Sequence, residues 1–140
     1  MNGAASGQMA MESTTYHVWF ATKRRKWLLQ GEIDDDTKDF IRQVAREKQI
    51  SLIECETAVD HVHLLLHLRP NQTLPAVMNL LMGISSRRLH EAFPELKLDS
   101  SSHHFWQRGY AFKVVEGGSL ESRLQYVKTQ KERLEKFDRR

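Results

Sequence analysis

Residues 58–68, with the sequence AVDHVHLLLHL, decide the fold of this chain. The run is apolar enough for a buried strand, and a strand sends successive side chains to opposite faces of its sheet. One predicted face carries only branched apolar residues: Val62, Leu64, Leu66 and Leu68. The opposite face carries three histidines and a leucine: His61, His63, Leu65 and His67. We therefore expect one face to pack in the core and the other to offer chemistry.

His61 and His63 have a spacing that permits a shared metal ion. Residues i and i+2 lie roughly 6.5–7 Å apart along one strand face, so both imidazoles can reach a single divalent cation. Strand histidines at this spacing are also found exposed or hydrogen-bonded, so the pair alone does not establish a metal site. A third ligand would have to come from elsewhere in the chain.

The composition favours one globular domain. The chain has 140 residues, of which 40% are hydrophobic, which suits a single core. We expect residues 1–13 to be a flexible lead-in and residues 14–140 to form the domain. No apolar run approaches the roughly 20 residues of a membrane-spanning helix, and the opening MNGAASGQMAMES lacks the basic start and apolar core of a secretory signal. The expected location is therefore the cytoplasm, without a membrane partner, and the single cysteine, Cys55, is expected to be a core residue.

Basic residues occur in clusters. The net charge is +3 and the isoelectric point is about 9.1. The clusters are KRRK at 23–26, the pair Arg87 and Arg88, and the pair at the C-terminus. Such clusters attract polyanions such as nucleic acids, and they are also common on solvated surfaces.

Hydrophobic periodicity predicts six elements between residues 14 and 115. In chain order they are a strand at 14–23, a helix at 34–49, a strand at 50–57, the histidine strand, a helix at 74–93 and a strand at 105–115. The helix at 34–49 is expected to be capped by aspartates, and residues 94–104 are expected to be a polar connection. This order predicts an α+β, ferredoxin-like (RRM-like) fold, an antiparallel sheet with two helices on one face. The histidine face would then be open to substrate.

The segment 116–137, EGGSLESRLQYVKTQKERLEKF, predicts a further helix. One apolar stripe suits the core and is formed by Leu120, Leu124, Val127 and Leu134. A second stripe about 100° around the helix carries Tyr126 and Gln130, one turn apart. This stripe combines a hydroxyl nucleophile with an amide oxygen ligand, which could act on the same metal-bound group.

Three motifs, in this order, resemble a known family. They are DHVHLLL, FWQRGYAFKVV and LQYVKTQ, and together they are similar to the single-tyrosine HUH transposases of the insertion-sequence 200/605 family. The resemblance extends from about Tyr16 to Gln130 and includes ATKRRKWLL after the first strand. Members often have a proline before the Asp-His-Val-His motif, where this chain has Val59.

The resemblance implies a catalytic site. His61, His63 and Gln130 would be the metal ligands, Tyr126 the nucleophile, and Mg²⁺ or Mn²⁺ the working ion, with no organic cofactor. The implied reaction is tyrosine attack on single-stranded DNA at hairpin-marked ends, which forms a 5′-phosphotyrosine and then rejoins strands.

The resemblance also implies partners. Members are homodimers, and Gly117 and Gly118 are either a simple turn or a hinge that lets Tyr126 act in its own or the partner's site. The candidates for DNA phosphate contact are basic: Lys23, Arg24, Arg25, Arg87 and Arg88.

Two other functions are compatible with parts of the sequence. One is an RRM-like module that binds single-stranded nucleic acid without catalysis, with Trp106, Tyr110 and Phe112 stacking on bases. The other is a small metal-dependent hydrolase, for which no acidic third ligand is found at a suitable spacing, since Asp60 is expected to point to the opposite strand face.

Overall fold

The computed structural model of the chain describes residues 13–98 and 105–115. The elements are β1 (Thr14–Ala21), a 3-10 turn (Lys23–Arg25), α1 (Gly31–Glu47), β2 (Ser51–Ala58), β3 (His61–Leu68), α2 (Leu74–Ala92), α3 (Pro94–Leu98) and β4 (Ala111–Val114). The strands form one sheet in the order β2-β3-β1-β4, and every neighbouring pair is antiparallel. This topology confirms the predicted α+β, ferredoxin-like fold. The helix predicted at 116–137 lies outside the described residues, as do residues 1–12 of the predicted lead-in.

The two long helices begin differently. α2 starts at Leu74 as predicted, after the N-cap Thr73, whose hydroxyl accepts a hydrogen bond from the Ala76 amide at 3.4 Å. α1 starts at Gly31, three residues earlier than predicted, and its N-cap residue makes no side-chain capping bond. The aspartates predicted to cap α1 therefore lie inside it, where Asp34 in the first turn interacts favourably with the helix dipole.

The region after α2 differs most from the prediction. Pro94–Leu98 forms the short helix α3 in what was predicted to be a connection. The predicted strand at 105–115 is limited to Ala111–Val114, because Gly109 takes a φ of +90° that a regular strand does not allow. Before that glycine, Trp106 forms an isolated antiparallel bridge with Thr22.

The core lies between the sheet and the helices. The β3 side chains predicted to face it are almost fully buried: Val62, Leu64, Leu66 and Leu68. They belong to one apolar cluster with helix residues such as Ile41 and Leu81 and with Cys55 of β2, which has the predicted core position. Burial of this apolar area is the main favourable contribution to folding. Within residues 13–98 and 105–115, none of the helices has both the length and the apolar content that a membrane span requires.

Candidate active site

Strand pairing assembles the histidine face from β3 and β1. Trp19 lies opposite His63 and His17 lies opposite Leu65 in the antiparallel register. Paired residues project to the same side of a sheet, so β1 adds a fourth imidazole to this face. The face is not open as expected, because His63 and His17 are 4% and 2% exposed and Leu65 is fully buried.

His61 is held by a carboxylate. Its Nδ1–H donates to Asp60 Oδ1 at 2.6 Å, and the Asp60 side chain is only 5% exposed. Asp60 Oδ2 in turn accepts from Arg25 Nε at 2.8 Å. Burial by itself raises the pKa of Asp60, but the hydrogen bonds from Arg25 and His61 bring that pKa below its ordinary value. The expectation that Asp60 points away from the histidines is wrong, because Asp60 lies in the turn before β3 and not within its alternating pleat.

His63 is held by another imidazole. Its Nδ1 lies 3.0 Å from His17 Nε2, and the two rings stack with centroids 5.2 Å apart. Burial, followed by the neighbouring His17 and His61, lowers the pKa of His63 to about 3. Burial and Lys113 lower the pKa of His17 to about 4. Both rings are therefore neutral near pH 7, which is the form in which histidine binds metals.

The two predicted ligands share one arrangement. In each ring Nδ1 contacts a protein partner, so Nε2 is the nitrogen left for a ligand. His63 Nε2 is buried, and within the described part of the chain it has no hydrogen-bond partner. The rings of His61 and His63 lie 6.4 Å apart between centroids, with 25° between their planes. Histidines that bind metals typically have Nδ1 hydrogen-bonded to a neighbour and Nε2 left without a hydrogen-bond partner.

Two predicted site residues are not described by the structure. Tyr126 and Gln130 lie outside the described residues, so the structure does not bring them to the histidines or separate them. Among residues 13–98 and 105–115, no three His, Cys, Asp or Glu side chains are grouped as a metal site would require. The histidine pair is thus at most part of a coordination sphere.

The basic turn after β1 lies next to the histidines. Arg25 Nη2 approaches His61 Nδ1 at 3.4 Å, and the Arg25 side chain is still 53% exposed. Arg24 and Arg25 both have positive φ, 59° and 56°, and both are exposed, so the turn is tight and directs charged side chains outwards.

The second predicted basic pair lies on the other side of the sheet. Arg87 and Arg88 belong to α2, and Arg88 Nη2 donates to Glu47 Oε1 of α1 at 2.7 Å. Arg88 therefore links the two helices, whereas Arg87 is exposed. The structure does not bring this pair to the histidine face.

A cavity of about 450 Å³ lies between α2 and the segment before β4. Its lining is partly apolar and partly basic and includes Lys23, Met78, Met82, Trp106 and Arg108. Lys23 thus connects the basic turn with this cavity.

Sequence reasoning missed two residues of the site. The strand predicted at 14–23 gives His17 no role in the site, and strand alternation places Asp60 on the wrong side of β3. The distance of 46 residues between His17 and His63 leaves no local pattern that could have found the contact. The Asp60–His61 neighbourhood was visible in the motif DHVH, but its geometry depends on the turn that precedes β3.

Comparison with known proteins gives consistent matches. The family described as "Transposase IS200 like" matches residues 10–130. The ISDra2 transposase TnpA of Deinococcus radiodurans is 33% identical over 115 residues, which is 82% of this chain and 82% of that protein. The transposase for insertion sequence element IS200 of Salmonella typhimurium is 34% identical over 118 residues, or 84% of this chain and 76% of that protein.

Solved structures agree in fold. A crystal structure of a Deinococcus radiodurans protein described as a transposase has a TM-score of 0.70 at 33% identity, and the match covers 85% of this chain and 92% of that one. A REP-associated tyrosine transposase bound to a REP hairpin has a TM-score of 0.58 at 11% identity, covering 81% of this chain and 62% of that one. At that identity the second likeness shows the fold alone.

Proposed function

This chain belongs to the family of IS200-like transposases, and from that membership we propose that it cuts and rejoins single-stranded DNA with Tyr126 as nucleophile at a divalent metal site. One observation carries the metal site. The bare, buried Nε2 of His63 lies beside His61, and both rings have their other nitrogen engaged. This donor set fits a metal ion, because an unpartnered buried nitrogen is costly unless it has a ligand.

In the proposed site His61 and His63 would hold the ion together with Gln130. When bound, Mg²⁺ or Mn²⁺ supplies Lewis-acid polarisation of a phosphodiester. The Tyr126 oxygen forms a bond to phosphorus, the bond from phosphorus to the 3′ oxygen breaks, and the phenol proton ends on that oxygen. The products are a 5′-phosphotyrosine and a free 3′-hydroxyl, and attack by another 3′-hydroxyl reverses the step to rejoin strands.

The proposed DNA substrate is single-stranded with hairpin ends. The hydrogen bond of Arg25 to Asp60 and its approach to His61 support phosphate binding by Arg25 close to the histidines. Lys23 and Arg24 line a pocket with His90 of α2 and would contact phosphates on that side of the turn. Arg25 would share its guanidinium between Asp60 and DNA. Arg87 and Arg88 would contact DNA only along the helical side of the molecule, and Arg88 would first have to leave Glu47.

A homodimer is the proposed assembly. Among the described strands β4 lies at the edge of the sheet, and its apolar side chains Phe112 and Val114 are 54% and 43% exposed. Exposed apolar groups on a sheet edge are typical of interaction surfaces. Mixing His61→Ala protein with Tyr126→Phe protein should restore cleavage if the tyrosine acts in the partner's site. A monomer in solution would overturn the proposed dimer.

The non-catalytic RRM-like alternative loses one of its three proposed stacking residues. Trp106 is 3% exposed, its Nε1–H donates to Ser85 Oγ at 2.9 Å, and its ring packs edge-on against Phe20. It therefore cannot stack on bases without leaving the core. The hydrolase alternative also weakens, since Asp60 is used to hold His61 and is not free to act as a third ligand.

The deciding experiment is identification of the covalent adduct. Labelled single-stranded hairpin DNA from the flanks of the gene is incubated with the protein, with and without Mn²⁺. We expect a metal-dependent nick and a protein–DNA adduct that maps to Tyr126. Tyr126→Phe should abolish both, because only the nucleophilic oxygen is removed.

Matched controls are the other two tyrosines. Tyr16→Phe and Tyr110→Phe should retain the adduct, since Tyr16 lies in β1 and Tyr110 packs against the core. An adduct that persists in Tyr126→Phe, or that maps to another residue, would show that the wrong nucleophile has been named.

A further inference from the structure

The contact between His17 and His63 joins two buried imidazoles. His17 Nε2 and His63 Nδ1 lie 3.0 Å apart, and the residues are 2% and 4% exposed. A neutral imidazole has one N–H donor and one acceptor nitrogen, so one ring must donate and the other must accept. The direction of this hydrogen bond determines which nitrogen of His63 carries a proton.

The direction follows from what His63 must do. A nitrogen binds a metal ion through its lone pair, so His63 Nε2 must be unprotonated and its proton must be on Nδ1. We infer that His17 is a positioning residue of the metal site, accepting the Nδ1–H of His63 at its own Nε2. His17 then carries its proton on Nδ1. This inference rests on the proposed metal site, and it assigns a role to a residue outside the Asp-His-Val-His motif.

Both proposed metal ligands are oriented by a hydrogen bond from Nδ1, but to different partners. His61 donates its Nδ1–H to the Asp60 carboxylate, and His63 donates to an imidazole. Both rings then offer an unprotonated Nε2, with their orientation held by the neighbour. Such partners fix the tautomer and the angle of a ligating ring.

The backbone explains why His17 can hold this position. Trp19 pairs with His63 and His17 pairs with Leu65 in the β1–β3 ladder, and residues two apart on a strand share a face, so the ring of His17 stands on the same face as His63. The Trp19 ring lies 4.9 Å from the ring of His17 and 6.4 Å from that of His63, measured between centroids, which limits sideways movement of both imidazoles.

The first test measures tautomers directly in the metal-free protein. Nitrogen-15 NMR of histidine side chains at pH 7.5 distinguishes a ring nitrogen that carries a proton from one that does not. We expect His63 and His17 each to be protonated on Nδ1 and unprotonated on Nε2. A proton on His63 Nε2 would overturn the inference, and this measurement requires neither DNA nor cleavage.

The second test measures Mn²⁺ affinity by calorimetry. His17→Phe keeps an aromatic ring but removes the acceptor, and it should weaken Mn²⁺ binding by about 10–100-fold, as loss of such a partner typically does. His17→Gln should recover most of the affinity, because its amide oxygen can take the place of Nε2. The matched control is His67→Phe, which removes an imidazole of the same face that contacts Thr15 Oγ1 at 2.9 Å and should leave Mn²⁺ affinity unchanged.

The outcomes separate the inference from the proposed function. Wild-type Mn²⁺ affinity in His63→Ala would overturn both the metal site and the role of His17. Weak binding in His63→Ala with full binding in His17→Phe would overturn only the role of His17. If His17→Phe does not fold, the tautomer measurement on the unmodified protein decides the question.

Discussion

On the helix side of β3, Leu64 and Leu66 lie in an apolar cluster, whereas on the opposite side His63 lies against His17. Each of these four side chains belongs to a residue that is at most 4% exposed. Apolar contacts are non-directional, so a leucine contributes through the area that it removes from water. Buried imidazoles contribute through specific partners at specific distances. We therefore expect changes on the helix side to alter stability and changes on the histidine side to alter the reaction.

The largest expected effect is the loss of cleavage in His61→Ala and in His63→Ala. Each change removes a proposed metal ligand, so the nick and the adduct should fall to background in a gel assay with Mn²⁺. The melting temperature should fall by only a few degrees in His61→Ala, because Asp60 keeps its pair with Arg25 and its carboxylate is not left without a partner. His63→Ala should lower it more, since His63 is more deeply buried.

The control for this pair is His67→Ala on the same face of β3. It should retain cleavage, because its Nδ1 contacts Thr15 and not a proposed ligand. Unchanged cleavage in either His61→Ala or His63→Ala would show that this histidine is not needed for catalysis and would contradict the proposed metal site.

The second effect is a loss of stability in Leu64→Ala. This side chain is fully buried, and truncation of a buried leucine costs about 2–5 kcal/mol in transfer energy and cavity formation. Urea denaturation should show this loss, and the fraction that remains folded should cleave DNA normally. Leu80→Ala on α2 is the matched control, since Leu80 is 37% exposed and should change stability by about 0.5 kcal/mol or less. Loss of cleavage in fully folded Leu64→Ala protein would contradict the division between the two sides.

A third, smaller effect is expected from Asp60→Ala. Removing the carboxylate frees the ring of His61, and Mn²⁺ affinity should fall by about 10–100-fold. The Mn²⁺ affinity of Asp60→Asn should lie between those of Asp60→Ala and the unmodified protein, because the amide oxygen of asparagine can still accept the Nδ1–H. The exposed Asp39 of α1 provides a control, and Asp39→Ala should bind Mn²⁺ like the unmodified protein. Equal affinities in Asp60→Ala and Asp39→Ala would show that His61 does not depend on its neighbour.

The smallest effect concerns Cys55, which pairs with Leu64. The reactivity of its thiol measures how often the helix side of the sheet opens to solvent. Burial raises the pKa of its thiol from 9.0 to about 12. At pH 8 the folded protein should therefore resist a thiol reagent such as iodoacetamide, and urea should restore reaction. Fast modification of the native protein would show that the helix side opens readily.

The same pKa shift gives a pH dependence with a defined sign. The folded state holds the Cys55 proton more tightly than the unfolded chain, whose thiol titrates near 9.0. The resulting stability is fully present below pH 9 and is lost as the pH rises towards 12. Denaturation of Cys55→Ala should show a weaker decline over this range than the unmodified protein.

Sequence patterns were sufficient where the relevant interactions are local. The alternation in residues 58–68 predicted which side of β3 is core, and the order of elements predicted the ferredoxin-like topology, because periodicity follows directly from strand and helix geometry. The start of α1 and the ends of β4 were less predictable. The positive φ of Gly109 breaks the regular strand geometry before β4, and glycine permits such a value without requiring it.

The sequence by itself determined the two sides of β3, the order of the elements and the presence of His61 and His63 on one face. Only the tertiary structure decided that His17 contacts His63, that Asp60 and Arg25 hold His61, and that Arg88 pairs with Glu47. The reason is that each of these contacts joins segments 35 to 46 residues apart in the chain, or depends on a turn geometry that brings them together. A periodic pattern specifies which way a side chain points on its own element, whereas its partner is chosen by the packing and register of another.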